Sequence, residues 1–325
     1  METVTFTCSD VETREELQAV VSRAIKSAVP KGKCSDSSGE TEYTCNNEFR
    51  GLAILICNEN FKEHNPLRRC CDDDLQLTKQ TFSNLKFLVL AFKDLTGRQI
   101  DLVLDIAAGQ EEFHLKSDCF VCVIASHGNE RPRPADDKQP PDLYFRDHCV
   151  YGIDNEPVAT KQIVKKFSEV SSLENKPKLF FIQACRINPT GNISSIDQGH
   201  TISVDPSNFQ DELILKNADD IAEPSFLDKL LGRKNNAKDK TKIIRVLDPP
   251  CDDDCLIVYS SNSVDKHVKA LQIDMINRID IMNVLYEMTR YVAKRMEVNL
   301  KETAYKKRKA AIVFEHCFHR ELYFK

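Results

Sequence analysis

Six short apolar runs recur along the chain, and segments of helical periodicity lie between most of them. This alternation restricts the possible folds more than any other feature. The runs are GLAILIC (51–57), KFLVLAF (86–92), CFVCVIAS (119–126), PKLFFIQA (177–184), CLIVYSS (255–261) and AAIVFEH (311–317). Each is short and bounded by polar or turn-forming residues, the pattern of a buried strand. Between them, CDDDLQLTKQTFSNL (71–85), LTGRQIDLVLDIAA (95–108), part of 155–170 and a long stretch within 266–297 place apolar residues at helical spacing. Thr96 is the candidate cap of the second helix. Strands apolar on both faces, separated by helices, build a parallel sheet covered on both sides. The expected fold is therefore α/β, a mainly parallel six-stranded sheet with helices on both faces.

Three stretches break the rhythm. Residues 1–46 are mixed and polar, too short for a core of their own. They read as a partly disordered leader with one amphipathic helix in ETREELQAVVSRAIKSAV. Residues 129–149 carry four prolines among charges and read as a loop, and residues 188–250 are long, polar and irregular. A structureless stretch of that length inside a compact domain is functional or disordered.

The bulk numbers exclude several classes. A net charge of −5 supplies no field that favours nucleic acid or an anionic membrane. There is no apolar leader and no run of 18 apolar residues, so a soluble, cytoplasmic protein with no membrane partner is expected. The 13 cysteines are odd in number and show no framework spacing, which suggests reduced thiols. Cys119 and Cys122 lie three apart on a strand and face opposite sides, and Cys251 and Cys255 have no matching pair nearby. No metal and no cofactor are expected.

Open parallel sheets bind ligands beyond the carboxyl ends of their strands. One run ends in Ser126, His127 and Gly128; another ends in Gln183, Ala184 and Cys185. An ordinary cysteine is only slightly ionised at neutral pH, and an imidazole beside it stabilises the thiolate or takes its proton, then protonates the leaving amine. The Gly128 N–H approaches a substrate closely, and with the Cys185 N–H it forms a candidate oxyanion hole. Taken singly, His127 and Cys185 are residues that also occur as inert structural groups. Together, at one sheet edge, they point to nucleophilic catalysis.

The residues quoted resemble the caspases, the Asp-specific cysteine proteases. SHGNE is similar to their histidine motif and IQACR to their nucleophile motif, with His127 and Cys185 58 residues apart. FRGLAILICNENF (49–61), KPKLFFIQAC (176–185), DDDCLIVYSS (252–261) and RELYF (320–324) extend the likeness. It implies a short leader (1–46), a large catalytic subunit (47–187), a cleavable linker (188–250) and a small subunit (251–325). It also implies protein substrates, a homodimer of large–small pairs joined through AAIVFEH, and a role in apoptosis. The leader has no room for an adaptor module, which implies an executioner-type member. By the same resemblance Arg68 and Gln183, with Ser126 nearby, bind the substrate aspartate, and Asp197 in SSIDQG is the expected linker cut. Arg69 is a neighbour of the matched arginine, and Pro66 supplies the carbonyl that orients His127.

Two departures bear on activity. The glycine that follows the family's nucleophile motif is Ile187 here, a residue that does not adopt positive φ readily. After Ser261 the family's loop carrying a Ser-Trp-Arg motif is shortened; the chain has no tryptophan, and Lys266 and Lys269 are the candidates to substitute for the charge of the second arginine, without its bidentate geometry. Two readings follow: a caspase-like endopeptidase that keeps a Cys–His dyad, or a catalytically impaired homologue that regulates other caspases by binding them. A pocket for a basic substrate residue requires an acidic wall, and no residue placed from the sequence supplies one.

Overall fold

The computed structural model describes residues 5–7, 13–32, 41–61, 72–132, 146–184, 251–260, 280–299 and 312–324, all within one compact unit. In chain order the described elements are Thr5–Thr7 (β1), Arg14–Lys26 (α1), Phe49–Cys57 (β2), Asp72–Asn84 (α2), Leu88–Lys93 (β3), Gly97–Ala108 (α3), Glu111–Leu115 (α4), Ser117–Ala125 (β4), Gly128–Pro132 (β5), Arg146–Tyr151 (β6), Pro157–Ala159 (β7), Thr160–Ser168 (α5), Lys178–Gln183 (β8), Cys255–Ser260 (β9), Ile281–Asn299 (α6) and Val313–His316 (β10). The main sheet has the order β1-β3-β2-β4-β8-β9-β10. Its pairings are parallel except that of β10 with β9, which is antiparallel. The six expected strands are present, and β1 adds a seventh on the β3 edge.

Period-two alternation sorts the strand residues onto two cores. Leu52, Ile54 and Ile56 of β2 join Phe120 and Ile124 of β4 against Ile100 and Leu104 of α3 and Ile163 and Phe167 of α5. Their sequence neighbours Ala53 and Leu55, with Val121 and Val123, face Leu75 and Phe82 of α2 and Val284 and Leu285 of α6. Both faces are thus dry, as the apolar runs require. Cys119 belongs to one core and Cys122 to the other, so the two cannot share an ion. Gly51 sits at φ +143°, where a Cβ would lie 1.8 Å from the Cys119 carbonyl oxygen. Only glycine allows β2 and β4 to meet there.

Thr96 caps α3: its hydroxyl accepts from the Gln99 N–H at 3.3 Å, and the Gln99 side chain accepts from the Thr96 N–H. The amphipathic helix expected in the leader is α1, whose Leu17 and Val21 are buried in the α3–α5 core. The span 129–149, expected as a loop, starts and ends in strand: β5 and β6 pair antiparallel, and β7 adds to β6. Both strands are short and mostly polar, so no apolar run reveals them.

His114 on α4 is fully buried, with Nε2 bonded to the Ala107 carbonyl at 2.8 Å and no hydrogen-bond partner at Nδ1. Burial, with a smaller contribution from Lys176, pushes its pKa down to about 4 from 6.5. The unfolded chain therefore binds the extra proton between those values, and stability falls as pH drops from 6.5 towards 4. The expected slope is up to about 1.4 kcal/mol per pH unit, about 3 kcal/mol in all. Urea unfolding at several pH values should show this slope in the wild type and a shallower one in His114→Gln; equal slopes would refute the assignment.

Candidate active site

Strand order reverses at β2. The chain passes from β2 to β3 on one side and then to β4 on the other, so a crevice opens beyond the carboxyl ends of β2 and β4. Three strands end level there: Cys57 pairs with Ala125, and Ala125 with Gln183. The residues that follow β4 and β8 are therefore delivered to one edge.

The turn after β4 is held by a backbone network. Ser126 N–H donates to the Gln183 carbonyl at 3.0 Å, and Tyr151 N–H donates to the His127 carbonyl at 2.9 Å. Asn58, fully buried, donates through Nδ2 to the Leu95 and Tyr151 carbonyls at 3.0 Å each and accepts from the Leu95 N–H. The His127 ring packs on Phe61, with centroids 4.5 Å apart. The imidazole is half-buried and its backbone is fixed on both sides. Phe61 and Asn58 stand in the quoted FRGLAILICNENF run, yet only tertiary contact reveals their service to His127.

Ser126 is 1% exposed and its hydroxyl donates to the Tyr151 carbonyl. That bond ties the end of β4 to the end of β6. Gly128 is buried at the start of β5, paired with Val150. Gln183 is 7% exposed and borders a cavity of about 270 Å³, counting its open mouth. The same cavity is walled by Cys57, Ala125, Asp74, Leu75 and Thr78. Cys185, Arg68 and Asp197 lie outside the described residues, as do Ser261, Lys266 and Lys269.

Two wall residues change expectations. Asp74 on α2 is 8% exposed and lines the cavity, a position that the sequence did not reveal. Helical spacing marks Leu75 as inward-facing, but a buried carboxylate next to it in a DDD run looks like a solvated helix start. Cys57 is disulfide-bonded. The other described cysteines are free, so its partner lies outside the described residues and the all-reduced expectation fails at this position. Pairing depends on distance in the fold, which cysteine spacing without a framework does not encode.

Comparison with known proteins agrees with this arrangement. The caspase domain family matches residues 50–269, about two thirds of the chain. Caspase-3 of Felis catus is 35% identical over 178 residues, covering 52% of this chain and 57% of that protein. Caspase-8 of Rattus norvegicus is 29% identical over 201 residues, covering 54% and 38%. Caspase-9 of Homo sapiens is 37% identical over 152 residues, covering 46% and 34%. The matches span between about a third and three fifths of these relatives' lengths. With a mainly parallel sheet in which β4 and β8 end level, and a family match over about two thirds of its length, the chain belongs to the caspase family.

Proposed function

We propose that the protein is a cysteine endopeptidase that cleaves proteins after aspartate, with Cys185 as nucleophile and His127 as its partner. The register of β4 on β8 carries this reading. Ala125 pairs with Gln183, and His127 and Cys185 each follow two residues later. His127 takes the Cys185 thiol proton, the sulfur attacks the scissile carbonyl carbon, and the oxyanion is bound by the Gly128 and Cys185 N–H groups. The tetrahedral intermediate collapses, the C–N bond breaks, and His127 gives its proton to the leaving amine. Water then hydrolyses the thioester, with His127 as base, and restores the thiol.

Gln183 on the cavity wall and Arg68 from the preceding loop bind the substrate carboxylate, the arginine through both oxygens. Activation proceeds by a cut after Asp197 between the large part (47–187) and the small part (251–325). Two such pairs assemble through β10, which has one strand neighbour in the main sheet. The setting is cytoplasmic and apoptotic; among the described residues no helix is long and apolar enough to cross a membrane.

The test is labelling in reducing buffer with an electrophilic peptide ending in aspartate, read by intact-mass spectrometry. The wild type should gain one label, Cys185→Ala none, and the same spectrum should show the chain cut after Asp197. No label on a folded, cut wild type would transfer the protein to the second reading, a catalytically impaired caspase that binds other caspases. The absence of the family's Ser-Trp-Arg residues after Ser261 favours that reading.

A further inference from the structure

Two cysteines remote from the catalytic motifs meet where the chain enters β9 and leaves β10. Cys251 is buried just before β9, and Cys317, half-buried, directly follows β10. The Cys317 thiol donates to the Cys251 carbonyl at 3.0 Å. The Cys251 thiol donates to the Cys255 carbonyl at 3.4 Å, and the Cys317 side chain lies near enough to raise the Cys251 pKa. The backbones are locked in place as well: Cys317 N–H donates to the Cys255 carbonyl at 3.0 Å, and Asp254 N–H to the Cys317 carbonyl at 3.1 Å. Neither thiol has a part in the peptidase chemistry proposed above.

We propose that Cys251 and Cys317 form a reversible dithiol–disulfide pair, oxidised by hydrogen peroxide. Cys317 is the more accessible sulfur. It attacks the peroxide, an S–O bond forms, the O–O bond breaks, and the departing hydroxide takes a proton to leave as water. The Cys251 sulfur then attacks the resulting Cys317 sulfenic acid. The S–S bond forms, the S–O bond breaks, and the released hydroxide leaves as water with the Cys251 proton. Two thiols lose two electrons and two protons, and one peroxide becomes two waters. Burial and the neighbouring Cys317 push the Cys251 thiol pKa up, so Cys251 does not meet the oxidant first, and its attack on the sulfenic acid rests on its closeness to Cys317. The bridge ties the first residue after the 188–250 segment to the end of β10. A cut within that segment then leaves the entry to β9 clasped to the sheet by a covalent bond.

The experiment treats the full chain with hydrogen peroxide, alkylates the remaining thiols and maps peptides without reduction. A Cys251–Cys317 linked peptide that dithiothreitol separates is expected. In Cys251→Ser, Cys317 should stop as a sulfenic acid that dimedone traps; in Cys317→Ser, Cys251 should remain an alkylatable thiol. Persistence of both thiols in the wild type under an excess of peroxide, or linkage of Cys317 to a different cysteine, would overturn the proposal. All of these readouts are independent of peptidase activity, so their failure and that of the peptidase reading are separable.

Discussion

Asp118→Ala should destabilise the protein by about 3–5 kcal/mol, because it strands two buried cations. Asp118 is the second residue of β4 and is 2% exposed. One carboxylate oxygen accepts from Arg50 at 3.2 Å and from the Lys31 ammonium; the other accepts from the Asn47 N–H at 2.9 Å. The Lys31 and Arg50 side chains are themselves only 4% and 3% exposed. Lys31 also donates to the Cys45 carbonyl, and Arg50 donates to the Leu85 carbonyl and lies over the Phe324 ring. One carboxylate therefore ties residues 31 and 47, the starts of β2 and β4, and through Arg50 the C-terminal segment. Removing it should lower Tm by roughly 10 °C. Asp118→Asn should lose much of the same stability, since the amide fills the space without the charge. Calorimetric Tm values for Asp118→Ala and Asp118→Asn within a degree of the wild type would refute this assignment.

His127→Ala should lower kcat/KM on an aspartyl peptide by about 10²–10⁴, the range for a positioned acid–base group. The effect should fall on chemistry and not on folding. The segment around His127 is held by the Tyr151 and Ser126 N–H groups, the Ser126 hydroxyl and the Asn58 amide, through hydrogen bonds that survive loss of the imidazole. The ring is half-buried and loses its packing on Phe61, so Tm should change little. Adding Cys185→Ala to His127→Ala should cost little more, because the pair acts as a unit. Near-additive losses, or activity retained in His127→Ala, would show that the dyad is misassigned.

The sheet was legible because each strand buried on both faces must be apolar throughout, and runs such as GLAILIC and CLIVYSS are. The carboxyl-edge position of His127 was legible for the same reason, since it directly follows an apolar run. What stayed hidden depends on tertiary partners. Thr5–Thr7 is too short to show a period, and the apolar stripe of α1 does not say which helix receives it. β5 and β6 are hidden among charges and prolines. The bond from the Ser126 hydroxyl to the Tyr151 carbonyl depends on a strand 25 residues on, and no local pattern announces it. Asp74 and Cys57 reach the cavity only because α2 lies over the ends of β2, β4 and β8.

Substrate specificity is the most direct test. A buried substrate aspartate needs a cation partner, and Arg68 is the one the family motif supplies. The decisive measurement is cleavage of a peptide library by the enzyme after its 188–250 segment has been cut. Cleavage after aspartate is expected, with weak dependence on the preceding residues because the sequence after Ser261 lacks the family's Ser-Trp-Arg residues. Arg68→Ala should reduce it roughly 10- to 150-fold, the loss of one charged hydrogen-bond partner. Strong cleavage after lysine or arginine, abolished by Asp74→Asn and indifferent to Arg68→Ala, would contradict the aspartate pocket.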